Sequence, residues 1–319
     1  MQTKAILFKQ FGSADELYLD TIDMPNLAMH EVLIKTTAAA VNPIDAKIRN
    51  GSSFVCSKRP DAFPWTLGFD FAGTVLQSGD KSALKPGDKV VGIAGHPFRP
   101  CAYAEHIVTD DKILCKVPLG INLKEAAALP TAGITALDIL NTIKEVKPSG
   151  KVLILGASGG VGHLLLQMLK LSGYEVSSGA SQSNFEFIKN CGADFIFDYH
   201  EDYLNTYSKT FDVAIDFVGG KVGINLYKTL KEDGALITVP SYSFDAVLSA
   251  CPQGITAKSV LASPNSLKLE YLLKLMQDKK IKVVISEEFA LDTKGARNAH
   301  RQIESAHTRG KIILVPIQA

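Results

Sequence analysis

At 319 residues the chain is long for a single core, so two domains are expected. Its 46% apolar and 21% charged residues are ordinary for a globular protein, and a formal net charge of +1 argues against nucleic acid or a membrane surface as a partner. No apolar run reaches the roughly 18 residues of a membrane helix, "MQTKAILFKQFG" lacks the order of a signal peptide, and Cys56, Cys101, Cys115, Cys191 and Cys251 form no CxxC pair. That usage suits free thiols in a reducing, cytoplasmic setting.

The first third reads as short strands between turns: "TKAILF", "EVLIKTT", "FAGTVLQ" and "DKVVGIA". "KPGDKV" is a turn feeding the last of these, with proline presetting φ. The spacing predicts a β-barrel or sandwich. Between the second and third strands lies "VNPIDAKIRNG", an Asn-Pro turn opening a polar helix, with Asp45 at the helix start and Lys47 and Arg49 on a solvated face. Near residue 122 the character changes. "NLKEAAALPTAGITALDILNTIKEV" is helical, with Asn122 and Glu125 in a capping-box pattern, and "KPSG" ends it.

From Lys151 to Ala262 strands and helices alternate. The strand candidates are "KVLILG", "YEVSSG", "DFIFDY", "FDVAIDFVG", "GALITVP" and "TAKSVLA"; the helices include "GHLLLQMLKLSG" and "NFEFIKNCG". This order predicts a parallel sheet covered on both faces, an α/β domain. The tail holds a helix, a strand, a helix and the strand "KIILVP". Being unlike the middle, it is expected to rejoin the first domain.

The strongest chemical signal is "KVLILGASGGVGHLLLQMLKLSG". An apolar strand turns through Gly156, Ser158, Gly159, Gly160 and Val161 into a helix. Glycines allow the tight turn and the close approach of a phosphate, and the helix N-terminus offers N–H groups and a positive dipole end. The competing reading is a strand–helix turn with no ligand. The next strand, "YEVSSGASQSN", ends without the acid that would hold NAD ribose hydroxyls, and Glu175 lies at its wrong end. The site is therefore open to NADPH, with Ser181 and Asn184 as donors to a 2′-phosphate; Ser181 also suits a helix N-cap. By position at the carboxyl ends of strands, Phe217, Val218 and Gly219, then Val239, Pro240 and Ser241, are further candidates for the cofactor.

Together and in order, "VNPIDAKIRNG", "LGFDFAGTV", "LKPGDKVVG", "AYAEHIV", "EAAALPTAGITA", "GASGGVG", "GADFIFDY" and "TRGKIILV" make the whole chain resemble the zinc-independent quinone oxidoreductases of the medium-chain dehydrogenase/reductase superfamily. The resemblance implies a discontinuous GroES-like β-barrel catalytic domain (1–122 and 263–319) with a Rossmann domain (123–262) inserted in it, and the cofactor held between them. It implies Asn42 beside the nicotinamide as the catalytic and cofactor-binding residue, Thr131 near the cofactor phosphates and nicotinamide (the competing reading is a simple bend at Pro130), Tyr199 at the adenosine phosphate and Lys311 facing the site. The family position of Asn184 is often Lys or Arg, a departure in this chain.

Zinc-dependent relatives need a Cys where Asn42-Pro43-Ile44-Asp45 stands and a His-Glu pair where "GFD" stands; the lobe with four cysteines is absent. Asp45, Asp70 and His96 show no ligand spacing, so no metal is expected. Without a Lewis acid to activate an alcohol, the expected reaction is NADPH-dependent reduction of a quinone or an α,β-unsaturated carbonyl. The alternatives are a zinc-free alcohol or polyol dehydrogenase and a non-enzymatic NADPH- or RNA-binding module. Family habit and the apolar "TAKSVLA" edge imply a homodimer. Phe54, Trp65 and Phe98 are candidates for a flat substrate pocket, or core.

Overall fold

In the computed structural model residues 1–59 and 61–317 are described, Ser241 by its backbone only. The chain divides into two compact units. One comprises residues 1–131, 264–279 and 283–319; the other comprises 132–263 with 280–282.

The first unit opens with β1 (Gln2–Phe8), β2 (Tyr18–Asp23) and β3 (Glu31–Val41). Helices α1 (Pro43–Arg49) and α2 (Phe54–Lys58) follow, then β4 (Trp65–Thr66), β5 (Asp70–Ser78), β6 (Lys89–Ile93), β7 (His106–Asp110) and β8 (Leu114–Lys116). Helix α3 (Leu123–Ala127) comes next, with the Asn122 side chain accepting the Lys124 N–H at 2.8 Å. It stops after five residues, and α4 (Pro130–Val146) starts afresh. The single helix expected over 122–146 is thus two. A proline lacks an N–H and obstructs a preceding turn, but is well placed as the first residue of a helix. Helix α3 packs on β3, β5 and β6, so the first unit continues past residue 122.

The second unit continues from α4 with β9 (Lys151–Leu155), α5 (Gly162–Leu171), β10 (Glu175–Ala180), α6 (Phe185–Asn190), β11 (Phe195–Asp198), α7 (Tyr203–Thr206) and β12 (Phe211–Asp216). Then come α8 (Gly220–Asn225), β13 (Leu230–Thr238), α9 (Phe244–Ser249) and β14 (Thr256–Ser259). The tail adds α10 (Ser266–Gln277), β15 (Ile285–Ala290), α11 (Thr293–Glu304) and β16 (Lys311–Val315) to the first unit.

The second unit is built on one parallel sheet in the order β11-β10-β9-β12-β13-β14. Counted from β9, this is 3-2-1-4-5-6, with its topological switch between β9 and β12. Strand β9 is an unbroken apolar run after Lys151, buried from Val152 to Leu155, as a strand covered on both faces must be. Helix α5 is apolar almost all round and buries seven of its ten residues.

The first unit holds a small sheet, β2-β1-β4, and a larger one, β15-β16-β3-β5-β6-β8 with β7 also on β3. Strand β3 organises the larger sheet, pairing antiparallel with β5, β7 and β16. Its register with β5 slips at Leu33/Ile34 and at Thr36/Ala38, and such bulges bend and twist a pair. The pairings Ile312↔Val41 and Ala40↔Asp70 bring Lys311, Asn42 and Asp70 to one end of three neighbouring strands.

Candidate active site

In the second unit, the turn after β9 is shaped by its glycines. Gly156 has φ +92°, a conformation that disfavours side chains. A Cβ on Gly162 would stand 2.3 Å from the Gly156 carbonyl oxygen, so the start of α5 can approach the strand only at a glycine. Gly159 differs: a Cβ there meets only the Gly156 oxygen, at 3.4 Å, and otherwise projects into open space. The turn is closed by Gly159 N–H on Gly156 O (3.1 Å), and the His163 ring contacts the Gly159 carbonyl through Nδ1 at 2.9 Å. Gly156, Ser158, Gly159, Gly160 and Val161 are all half-buried, between the end of β9 and the N-terminus of α5. This cradle fits a pyrophosphate.

The other residues expected to hold the cofactor line the same carboxyl edge of the sheet. After β10, Asn184 Nδ2 donates to Ser181 Oγ (3.1 Å), and Ser181 Oγ lies 3.2 Å from Ser183 Oγ. After β11, Tyr199 is exposed, its N–H directed at Ala180 O. After β12 come Phe217 and Val218, and after β13 Val239 and Pro240. The side chain of Ser241 lies outside the described residues.

Sequence reasoning passed over Asp216, which joins the ends of β12 and β13. Its buried carboxylate accepts the N–H groups of Val218 and Gly219, both at 2.8 Å, and the Thr238 hydroxyl at 3.0 Å. Val239 N–H donates to its backbone carbonyl at 3.0 Å. The available signal was an acid at the end of an apolar strand, where a buried carboxylate must find donors.

In the first unit Asn42, Thr131 and Lys311 meet around Asp70, which is fully buried. Asp70 accepts from Asn42 Nδ2 (3.0 Å), from the Thr131 hydroxyl (2.6 Å) and from the Thr131 N–H (3.1 Å). Lys311 Nζ stands 4.0 Å from it and donates to Val41 O and to Asn42 Oδ1. The two ends of the Asn42 amide are therefore held by groups of opposite charge, which fixes its orientation. Burial pushes Asp70 above the ordinary carboxylate range and Lys311 below that of an ammonium, while their mutual attraction opposes both shifts.

A second layer lies beneath. Asp45 Oδ2 accepts the Asn42 N–H (2.8 Å) and the Tyr103 hydroxyl (3.0 Å), while Asp45 Oδ1 is buried with no hydrogen-bond partner. Arg49, expected on a solvated face, is instead 1% exposed. It donates to Gly12 O (3.1 Å), His300 Nδ1 (3.2 Å) and Glu304. The acceptors on α11 make burial of that guanidinium tolerable, and they lie some 250 positions further on, beyond the reach of local pattern. Trp65 is core, its Nε1 donating to Asp61 O at 2.8 Å, whereas Phe54 is exposed.

Burial pushes Asp45 up to about 7, from an ordinary 3.8. Between those values the folded protein holds a proton the unfolded chain has lost. The stability this supplies is full below the unfolded value and lost as pH rises toward 7. Burial, with Arg49 beside it, pushes His300 down to about 3 from an ordinary 6.5. Its contribution is full above 6.5 and lost as pH falls toward 3. The two slopes oppose each other over the same range. Asp45→Asn removes the first and leaves the second. We expect this variant to gain stability from about pH 4 to 6.5, by up to about 1.4 kcal/mol per pH unit relative to the parent. Urea unfolding at a series of pH values checks this, and parallel curves for variant and parent would refute it.

Among the described residues no group of three or more His, Cys, Asp or Glu side chains could hold a metal ion. No helix is long and apolar enough to cross a membrane.

Comparison with known proteins covers both units. Residues 28–147 match the alcohol dehydrogenase GroES-like domain and 191–314 the zinc-binding dehydrogenase domain. The chain is 31% identical to the chloroplastic quinone-oxidoreductase homolog of Spinacia oleracea, over 96% of this chain and 95% of that one. It is 29% identical to the chloroplastic NADPH-dependent alkenal/one oxidoreductase of Arabidopsis thaliana, over 99% and 80%. The structure of the quinone oxidoreductase from Coxiella burnetii superimposes with a TM-score of 0.93 at 40% identity, covering both chains completely.

Proposed function

The chain belongs to the zinc-independent quinone oxidoreductase family of the medium-chain dehydrogenase/reductase superfamily, and on that premise we propose that it reduces quinones or α,β-unsaturated carbonyls with NADPH. The observation that carries this reading is the cradle after β9, where Gly159 leaves room for a phosphate at the N-terminus of a buried helix. When bound, NADPH supplies a hydride from nicotinamide C4 to the ring or the β-carbon of the acceptor.

This chain's residues bind and orient. Gly156, Ser158, Gly159, Gly160 and Val161 take the pyrophosphate. Ser181, Asn184 and Tyr199 take the adenosine end. Phe217, Val218, Val239, Pro240 and Ser241 border the cofactor along the strand ends. Asn42 positions the nicotinamide or the substrate carbonyl, and Asp70, Thr131 and Lys311 hold the Asn42 amide in place. An acceptor that is already electrophilic needs mainly such positioning and exclusion of water. The bulged β3–β5 pairing is in keeping with a GroES-like barrel for the first unit. Five free cysteines favour a cytoplasmic setting, to be checked by microscopy of a tagged chain. The outer strand β14 favours a homodimer, which a monomer mass by sedimentation would sink.

The direct test is oxidation of NADPH and of NADH with a simple quinone and with a simple enone. We expect turnover with at least one acceptor and a preference for NADPH. Tight NADPH binding without turnover on either acceptor would favour a binding module, and oxidation of alcohols instead would favour a dehydrogenase.

A further inference from the structure

The end of β10 leaves a charge unbalanced. A 2′-phosphate carries roughly two negative charges, and the segment Ser181–Asn184 contains no Lys or Arg. Its hydroxyls and amide can donate hydrogen bonds but offer no counter-charge. The strand alongside provides a candidate. Strand β11 pairs in parallel with β10, with Ala180 opposite Asp198, so residue 200 emerges beside the Ser181–Asn184 segment.

Asp198 fixes what stands there. Its Oδ1 accepts the backbone N–H of His200 at 3.0 Å and lies 2.8 Å from His200 Nδ1. The Gln182 side chain bonds to the same carboxylate, tying the His200 ring to the segment after β10. The Tyr199 ring lies against the imidazole, with centroids 4.3 Å apart at 37°. The His200 side chain is 67% exposed, so the ring is held at one nitrogen and one edge yet open to a ligand.

We propose that His200 is the residue that selects NADPH over NADH, presenting Nε2 to the 2′-phosphate while Nδ1 stays on Asp198. The inference rests on the NADPH reading above. The carboxylate behind the imidazole holds Nδ1 and so turns Nε2 outward. His200 also screens the phosphate from Asp198, whose charge would otherwise repel it. Where the family often carries Lys or Arg at the position of Asn184, this chain offers an imidazole from the next strand.

The test uses the full chain and two cofactor fragments, 2′,5′-ADP and 5′-AMP, titrated calorimetrically. His200→Ala is expected to weaken 2′,5′-ADP by about tenfold and 5′-AMP by less than about twofold, the loss of one charge-assisted hydrogen bond. His200→Arg is expected to keep or strengthen the preference for 2′,5′-ADP. Discrimination that survives His200→Ala, or an equal loss for both fragments, overturns the role of His200 alone. A parent protein that binds the two fragments equally overturns the NADPH reading, and this role with it.

Discussion

Gly159→Val is expected to leave the fold standing and to weaken NADPH binding by about a hundredfold or more, the scale of losing most of the contact to a doubly charged group. Two glycines three positions apart differ in what a side chain would meet. At Gly162 a Cβ would press on the Gly156 oxygen at 2.3 Å and on Ala157 Cα at 2.7 Å, both backbone atoms that cannot yield without moving the strand. At Gly159 the only neighbour is the Gly156 oxygen, at 3.4 Å. Bulk at Gly159 therefore enters the space we propose for the phosphate and little else. Gly162→Ala should instead cost about 1–3 kcal/mol of stability, the usual penalty of overpacking. Calorimetric melting with an NADPH fluorescence titration separates the two effects. Parent-like NADPH affinity in a folded Gly159→Val protein would show that the cradle is not the phosphate site.

That cradle was legible in the sequence because its constraint is local. A strand, a tight turn and a helix start lie within a dozen residues, and glycine at Gly156 and Gly162 leaves few alternatives. The parallel sheet was legible for a related reason: β9, β11, β12 and the second half of β13 are short, largely apolar runs, and helical segments separate the strands. Two things were less legible. A bend at Pro130 could be read, but the flanking alanine and leucine, good helix formers, hid that one helix ends and another starts there. The polar network of the first unit was hidden because it depends on register. Asn42, Asp70 and Lys311 meet only because β16, β3 and β5 are neighbours aligned end to end, and Arg49 is buried only because α11 returns to it. Asp70 drew notice as a poor zinc ligand; its structural role is as an acceptor for three donors.

Lys311→Met is the second substitution expected to have a large effect. Lys311 is 4% exposed and Asp70 fully buried, so removing the ammonium leaves a carboxylate in the interior with only neutral donors. Breaking such a pair costs about 3–5 kcal/mol, chiefly through the uncompensated charge. Asn42 suffers as well, because its Oδ1 loses the donor that opposes the pull of Asp70 on Nδ2. Adding Asp70→Asn removes the stranded charge, and an asparagine carbonyl can still accept from Thr131. We expect the double variant to recover most of the stability and little of the turnover number, since the Asn42 amide is no longer held between opposite charges. Urea unfolding and steady-state NADPH oxidation measure the two separately. If the double variant regained both together, the Lys311–Asp70 pair would be only structural; if Lys311→Met alone were as stable as the parent, the buried pair would carry no net charge to lose. The expected split follows from a general property of buried ion pairs: apolar or neutral replacements can match their stability, but they cannot reproduce the orientation that opposite charges impose on a polar group set between them.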